Sequence, residues 1–183
     1  MNNYIEITLT PGPEMPLNWL LNSIYTKLHK AMCDLNATNI GVSFPAYELT
    51  LSNVLRVHGK AGALNDLQGL NWIGGMKGYC KISDIKPIPA GTKFRTVSRI
   101  QSTMSPAKLR RLMKRGSING EDAKNYKARM FVKGLDNPYL EMVSGSNGQK
   151  HRRYIAFGPL LDGPVEGTFD QFGLSKTATV PWF

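Results

Sequence analysis

Three histidines, His29, His58 and His151, are the side chains of this 183-residue sequence whose ordinary pKa lies near neutrality, so proton-transfer chemistry at pH 7 starts with them. Leu17, Leu20, Leu21, Ile24, Leu28, Ala31 and Leu35 recur at helical spacing. His29 then falls about 100° round from Leu28, at the edge of the apolar stripe and beside Tyr25. A part-exposed imidazole there suits general acid or base work, although a lone helix histidine is more often structural. His58 falls in an expected strand, and His151 in "KHRR", a setting for stacking or phosphate contact. Late in the chain, "SGSNGQ" (144–149) sets two serines beside Asn147-Gly148. Asn-Gly is a strong hairpin signal, and a rigid turn is a good mount for hydroxyls. No His-x-x-x-His, Cys-x-x-Cys or acidic cluster points to a metal. Cys33 and Cys80 lie far apart without ligand-like neighbours, so neither a zinc site nor a disulfide framework is expected. No metal and no cofactor are expected, and a nuclease built from these residues would work without one.

The second chemical signal is cationic. Lysine and arginine number 23 against 13 acids, a formal net charge of +10, which favours a polyanionic partner, most simply nucleic acid. The charge is uneven: no Asp or Glu occurs from Ile85 to Gly120, and "AKLRRLMKRG" (107–116) holds Lys108, Arg110, Arg111, Lys114 and Arg115. Ser105 can cap a helix there, Pro106 fits its first turn, and Gly116 can end it. Leu109, Leu112 and Met113, at i, i+3 and i+4, share one face and should dock on the protein. Lys108, Arg111 and Arg115 line one remaining side; Arg110 and Lys114 stack on the other. Like charges at i, i+4 repel by roughly a few tenths of a kcal/mol per pair, and no Glu is interleaved. Phosphates would relieve that repulsion, and roughly five phosphate contacts would make binding steeply salt-dependent. Upstream, "SRIQ" sets Arg99 and Gln101 two apart, on one side of an extended chain. Arg forks onto guanine and Gln onto adenine, so this pair can read bases where the helix holds phosphates. In RNA that needs a hairpin end or junction, because the A-form major groove is closed to side chains.

These residues need a scaffold. With 42% hydrophobic residues the chain can build a real core, as one domain or two small ones. Strands are expected at Tyr4–Thr10, Ile40–Phe44, Val54–His58 and Lys77–Ile85, with the long helix after the first and a short helix at 61–70 after the third. That β-α-β-β-α-β order is ferredoxin-like, the topology of RNA-recognition domains. "KPIPAG" (86–91) reads as a linker. The expected organisation is therefore α+β: a ferredoxin-like domain over 1–88, and a second α+β domain over 89–183 with the arginine-rich helix near 105–116. In the second half the pattern predicts a strand near Phe94–Gln101, a helix at 119–132, and strands near 139–144 and 152–157. No run of some 18 apolar residues and no leader-like start is present, so a soluble, cytoplasmic protein without membrane contact is expected.

Taken in order, "KLHK", "IGVSFP", "VSRIQ", the Pro-led arginine helix, "SGSNGQ", "FGPL", "FGLSK" and "VPWF" make the sequence similar, end to end, to the type I-F CRISPR RNA-processing endoribonucleases. The resemblance implies a ferredoxin-like domain joined to a second domain whose arginine helix enters the major groove of a CRISPR repeat hairpin. It implies His29 and Ser144 as the catalytic pair, and Arg99 and Gln101 as base readers. RNA contact is also expected from Ser146, Gln149, His151 and Phe172. The expected partners are the repeat hairpin or mature crRNA and the other subunits of a type I-F effector complex. Three departures stand out. Phe172 replaces a family tyrosine, so only packing or stacking survives there. His151 replaces a stacking phenylalanine. The arginine helix is one residue shorter, leaving open whether Arg110 or Arg111 contacts a base, and Gly116 replaces a histidine at its end. The alternative to an endoribonuclease is a non-catalytic hairpin-binding protein on the same scaffold.

Overall fold

The computed structural model describes residues 1–101, 106–132, 137–143 and 148–183. Strand β1 (Asn3–Leu9) alternates as its sequence demands, with Ile5, Ile7 and Leu9 turned into the core. Prolines end it, and α1 (Leu17–Asp34) starts directly after Pro16, whose φ of −58° already suits the helix. Leu20, Leu21, Ile24, Tyr25, Leu28, Ala31 and Met32 form its buried face. Then come β2 (Gly41–Ser43), β3 (Val54–Gly59), α2 (Ala61–Gly69) and β4 (Cys80–Ile82). The sheet order is β2-β3-β1-β4, with antiparallel neighbours throughout. β1 and β3 pair from Asn3↔Gly59 to Thr8↔Val54, and Glu6 meets Arg56 across that ladder in a 2.7 Å ion pair.

Two expected elements differ. The strand foreseen at Lys77–Ile85 is a 3₁₀ helix over Gly74–Tyr79 and only then β4. Gly74, Gly75 and Gly78 weaken any extended run, and Gly74 takes a φ of +55°. The proline-rich "linker" is partly structured, since β5 (Lys86–Pro87) pairs with the start of β1.

The single strand foreseen at Phe94–Gln101 is two. β6 (Lys93–Arg95) pairs with the late strand β10 (Val180–Trp182), which the sequence pattern did not reveal. β7 (Val97–Ile100) pairs with β9 (Lys150–Phe157), which pairs with β8 (Tyr139–Val143) in a β7-β9-β8 sheet. The switch comes at Thr96, whose carbonyl accepts the Gly158 N–H at 2.9 Å.

Arg95 secures β6 on the β9 side, donating twice to the Gly158 carbonyl among the rings of Tyr47, Phe157 and Trp182. The described chain forms two compact units: Met1–Arg99 with Asn137–Phe183, and Ile100–Asp136.

The second unit contains α3 (Pro106–Lys114) and α4 (Gly120–Val132). Pro106 opens α3 as expected, while Ser105 lies outside the described residues. A Schellman closure ends it: Gly116 N–H donates to Met113 O and Ser117 N–H to Leu112 O, both at 3.0 Å, with Gly116 at φ +66°. Leu109 is buried and Leu112 half-buried, but Met113 is 49% exposed, so the docking face is narrower than expected. Met113 sits in the last turn of a nine-residue helix, where the chain is already leaving. At the start of α4, Asn119 and Asp122 exchange side-chain and backbone hydrogen bonds in a capping box.

Candidate active site

Tyr25, His29 and Cys33 follow one another at i+4 along α1, so they form a ladder on one side of the helix. All three meet a single turn, Asp170–Gly173. The Asp170 carboxylate accepts the backbone N–H groups of Phe172 and Leu174 at 2.9 Å each. The Gly173 N–H closes the turn on Asp170 O at 2.8 Å. Glycine is required at 173 twice over: its φ is +71°, and a Cβ there would lie 2.7 Å from Val42 Cγ1. The turn is therefore rigid and fixed against β2, where Val42 N–H donates to Gly173 O at 3.0 Å.

His29 takes its orientation from this turn. Its Nδ1 lies 2.7 Å from the Gln171 carbonyl oxygen. A carbonyl only accepts, so Nδ1 carries a proton; in the neutral ring the lone pair is then on Nε2, the arrangement a general base needs. The imidazole stacks on Phe172 with centroids 3.5 Å apart and planes 13° off parallel. Below, the Tyr25 hydroxyl donates to Phe172 O at 2.7 Å, and burial pushes the phenol pKa far upward, so the donor stays protonated. Above, the Cys33 thiol donates to Gln171 Oε1 at 3.1 Å. Desolvation first, and the Asp34 charge second, raise the Cys33 pKa, which keeps it a thiol.

The face of Phe172 away from His29 is covered by Arg153 of β9, with Cζ 3.5 Å from the ring centroid. Two groups that close to one ring centre cannot share a face. Arg153 is buried, and burial, then the Arg99 charge, lower its pKa, while Tyr25 and Asp170 oppose that. Arg99 lies on β7 beside β9. The Nε atoms of both arginines are buried without a hydrogen-bond partner among the described residues.

Of the residues expected to act, His29, Phe172 and Arg99 thus fall in one neighbourhood of the first unit. His151 is half-buried on β9 opposite Met142, and Gln149 is exposed just before that strand. Ser144 and Ser146 lie outside the described residues; β8 ends at Val143 and β9 begins at Lys150 on either side of them. β8 is tied to the histidine helix, because Glu141 N–H donates to Asn22 Oδ1 at 2.9 Å. In the second unit Gln101, Lys108, Arg110, Arg111, Lys114 and Arg115 are all exposed. Sequence reasoning missed the Gln171 carbonyl, Asp170 and the seat of Arg153. Asp170 with Gly173 does carry a turn signature, but nothing local tells which histidine it meets. Among the described residues no three His, Cys, Asp or Glu side chains converge as a metal site would require. No described helix is long and apolar enough to cross a membrane.

The family model described as "CRISPR-associated protein (Cas_Csy4)" matches residues 4–183. The chain belongs to the Cas_Csy4 family. A CRISPR-associated endonuclease Cas6/Csy4 of Escherichia coli (strain UTI89 / UPEC) is 38% identical over 184 residues, with 100% of both chains covered. Its counterpart from Pseudomonas aeruginosa (strain UCBPP-PA14) is 36% identical over 187 residues, again with 100% of each covered. Among solved structures, the CRISPR endoribonuclease Cse3 bound to a 19 nt RNA matches 98% of this chain and 100% of its own at 13% identity and a TM-score of 0.41; that likeness is too weak to bear on the fold. The type I-F resemblance seen in the sequence motifs is that of the Cas_Csy4 family.

Proposed function

We propose that this Cas_Csy4 chain is a metal-independent endoribonuclease that binds the CRISPR repeat hairpin and cuts precursor CRISPR RNA at the 3′ base of the stem. The observation that carries this reading is the His29 hydrogen bond to the Gln171 carbonyl, which leaves Nε2 ready to accept a proton. In the proposed reaction Ser144 holds a ribose 2′-hydroxyl and His29 Nε2 takes its proton. The 2′-oxygen then forms a bond to the adjacent phosphorus as the P–O5′ bond breaks. The upstream fragment ends in a 2′,3′-cyclic phosphate. Arg99 and Gln101 read the foot of the stem. Lys108, Arg110, Arg111, Lys114 and Arg115 hold its phosphates, with further RNA contacts from Ser146, Gln149, His151 and Phe172. The β-α-β-β-α-β half, 1–88, serves as a ferredoxin-like platform and 89–183 as the hairpin-binding half. The product stays bound, and the protein acts as a subunit of a type I-F effector complex in the cytoplasm.

The test is to purify the protein from cells carrying the neighbouring CRISPR array, sequence the bound RNA and determine its 3′-end chemistry. A uniform hairpin ending in a cyclic phosphate or 3′-phosphate, formed equally well in EDTA, is expected. A deoxyribose at the cleavage position should block cutting but not binding, and His29→Ala should do the same. Phe172 in place of tyrosine favours the rival reading, a hairpin-binding protein without catalysis. Bound hairpins with intact flanking repeat, or cutting by His29→Ala at the wild-type rate, would decide against the mechanism.

A further inference from the structure

The alternation of β9 sets Arg153 on the same inward side as Ile155, a core position where an apolar side chain is the norm. Arg153 is only 6% exposed, its Nε has no partner among the described residues, and Arg99 presents a second positive charge to it. A guanidinium kept for stability would have every N–H satisfied; burying one whose Nε is unpartnered costs stability, and an apolar residue of similar volume commonly does better. Its close contact is instead the face of Phe172, at 3.5 Å.

The other face of that ring carries His29. The Gln171 hydrogen bond holds Nδ1, and Cys33 Sγ lies 3.6 Å from the same atom, but neither contact fixes the plane of the imidazole, which can still rock about the line from Cγ to Nδ1. The stack on Phe172 removes that freedom and so sets where Nε2 points. Phe172 can do this only if its own ring cannot tilt away. Its backbone is held at both ends, by Asp170 and by Tyr25, yet neither bond restrains the ring. Arg153 does, from behind.

We propose that Arg153 is a positioning residue for His29, acting through Phe172: the planar guanidinium closes the far face of the ring and so aims the imidazole. This rests on the reading of His29 as general base. Lysine cannot replace it fully, because an ammonium has no plane to stack.

The experiment compares Arg153→Met and Arg153→Lys with wild type in single-turnover cleavage of the repeat hairpin at saturating protein, hairpin affinity and thermal melting. The His29 ring resonances, which stacking on Phe172 displaces, are followed by NMR. Arg153→Met is expected to cut at least about tenfold more slowly, with affinity within about twofold and a melting temperature equal to or above wild type. Its His29 resonances should move toward unstacked positions, and Arg153→Lys should recover only part of the rate. Cleavage by Arg153→Met within about twofold of wild type, a rate loss matched by equal losses in affinity and melting temperature, or unmoved His29 resonances would overturn the proposal. If wild type leaves the hairpin whole, the nuclease reading fails, and the NMR comparison alone decides the role of Arg153 in holding the ring.

Discussion

His58 has no part in the proposed chemistry, and its surroundings limit the fold in acid. It is fully buried, with Nε2 2.7 Å from Ser43 Oγ and the rings of Tyr4 and Phe183 nearby. Burial, then Arg56, then the N-terminal ammonium push its pKa down to about 3. The folded protein therefore holds a neutral imidazole, while the unfolded chain takes up a proton near the ordinary pKa of about 6.5. The stabilising difference is complete above that pH and is lost as pH falls toward 3, at up to about 1.4 kcal/mol per pH unit. Urea midpoints measured between pH 7 and pH 4 should fall in wild type and fall less steeply in His58→Gln; equal slopes would remove His58 as the cause. Tyr25 supplies a second case, since its hydroxyl holds the backbone of the turn that orients His29. Tyr25→Phe strands the Phe172 carbonyl and should lower stability by about 1–3 kcal/mol. Under the proposed mechanism it also slows cleavage of bound hairpin more than it weakens binding, which a single-turnover assay beside a melting curve would check.

Turns rather than helices decide how well the site is held, and two glycines make the point quantitatively. Gly116 and Gly173 have similar φ values, +66° and +71°, but a Cβ at 116 meets open space, whereas one at 173 meets Val42 at 2.7 Å. Gly116→Ala should cost about 1 kcal/mol of backbone strain. Gly173→Ala adds roughly 1–3 kcal/mol of overpacking and shifts the carbonyl that anchors His29. Paired denaturation curves should rank them in that order; equal losses would mean that Val42 moves aside without effect. The same contrast explains what the sequence made legible. β1, α1, β3 and α2 follow from periodicity because each buries one face of its own segment. The strand foreseen at Lys77–Ile85 shrank to Cys80–Ile82 because Gly74, Gly75 and Gly78 favour a tight turn before it, and the one at Phe94–Gln101 split because its two halves pair with different late strands. His29 was legible as a candidate from its place on the helix edge. Its orienting partner was not, since Gln171 lies 142 residues away and contributes a backbone carbonyl that any residue possesses.

At the scale of the whole molecule the basic helix and His29 lie in different compact units. The residues around His29 belong to the first, while Arg110, Arg111, Lys114 and Arg115 stand exposed in the second, in a chain of formal net charge +10. Binding strength and cleavage rate should then separate under mutation. Each cation that neutralises one phosphate releases counterions, so its loss flattens log affinity against log salt by about 0.7–0.9 in slope. Arg111→Gln and Lys114→Gln should each show that change in hairpin binding. With every hairpin bound, both should still cut within about twofold of wild type. His29→Ala should show the converse, an unchanged salt slope and no product. Salt titrations of affinity beside single-turnover rates at saturating protein make the comparison. If Arg111→Gln lowers the saturated rate as much as the affinity, the basic helix also sets the scissile bond against His29, and phosphate holding and catalysis are one function, not two.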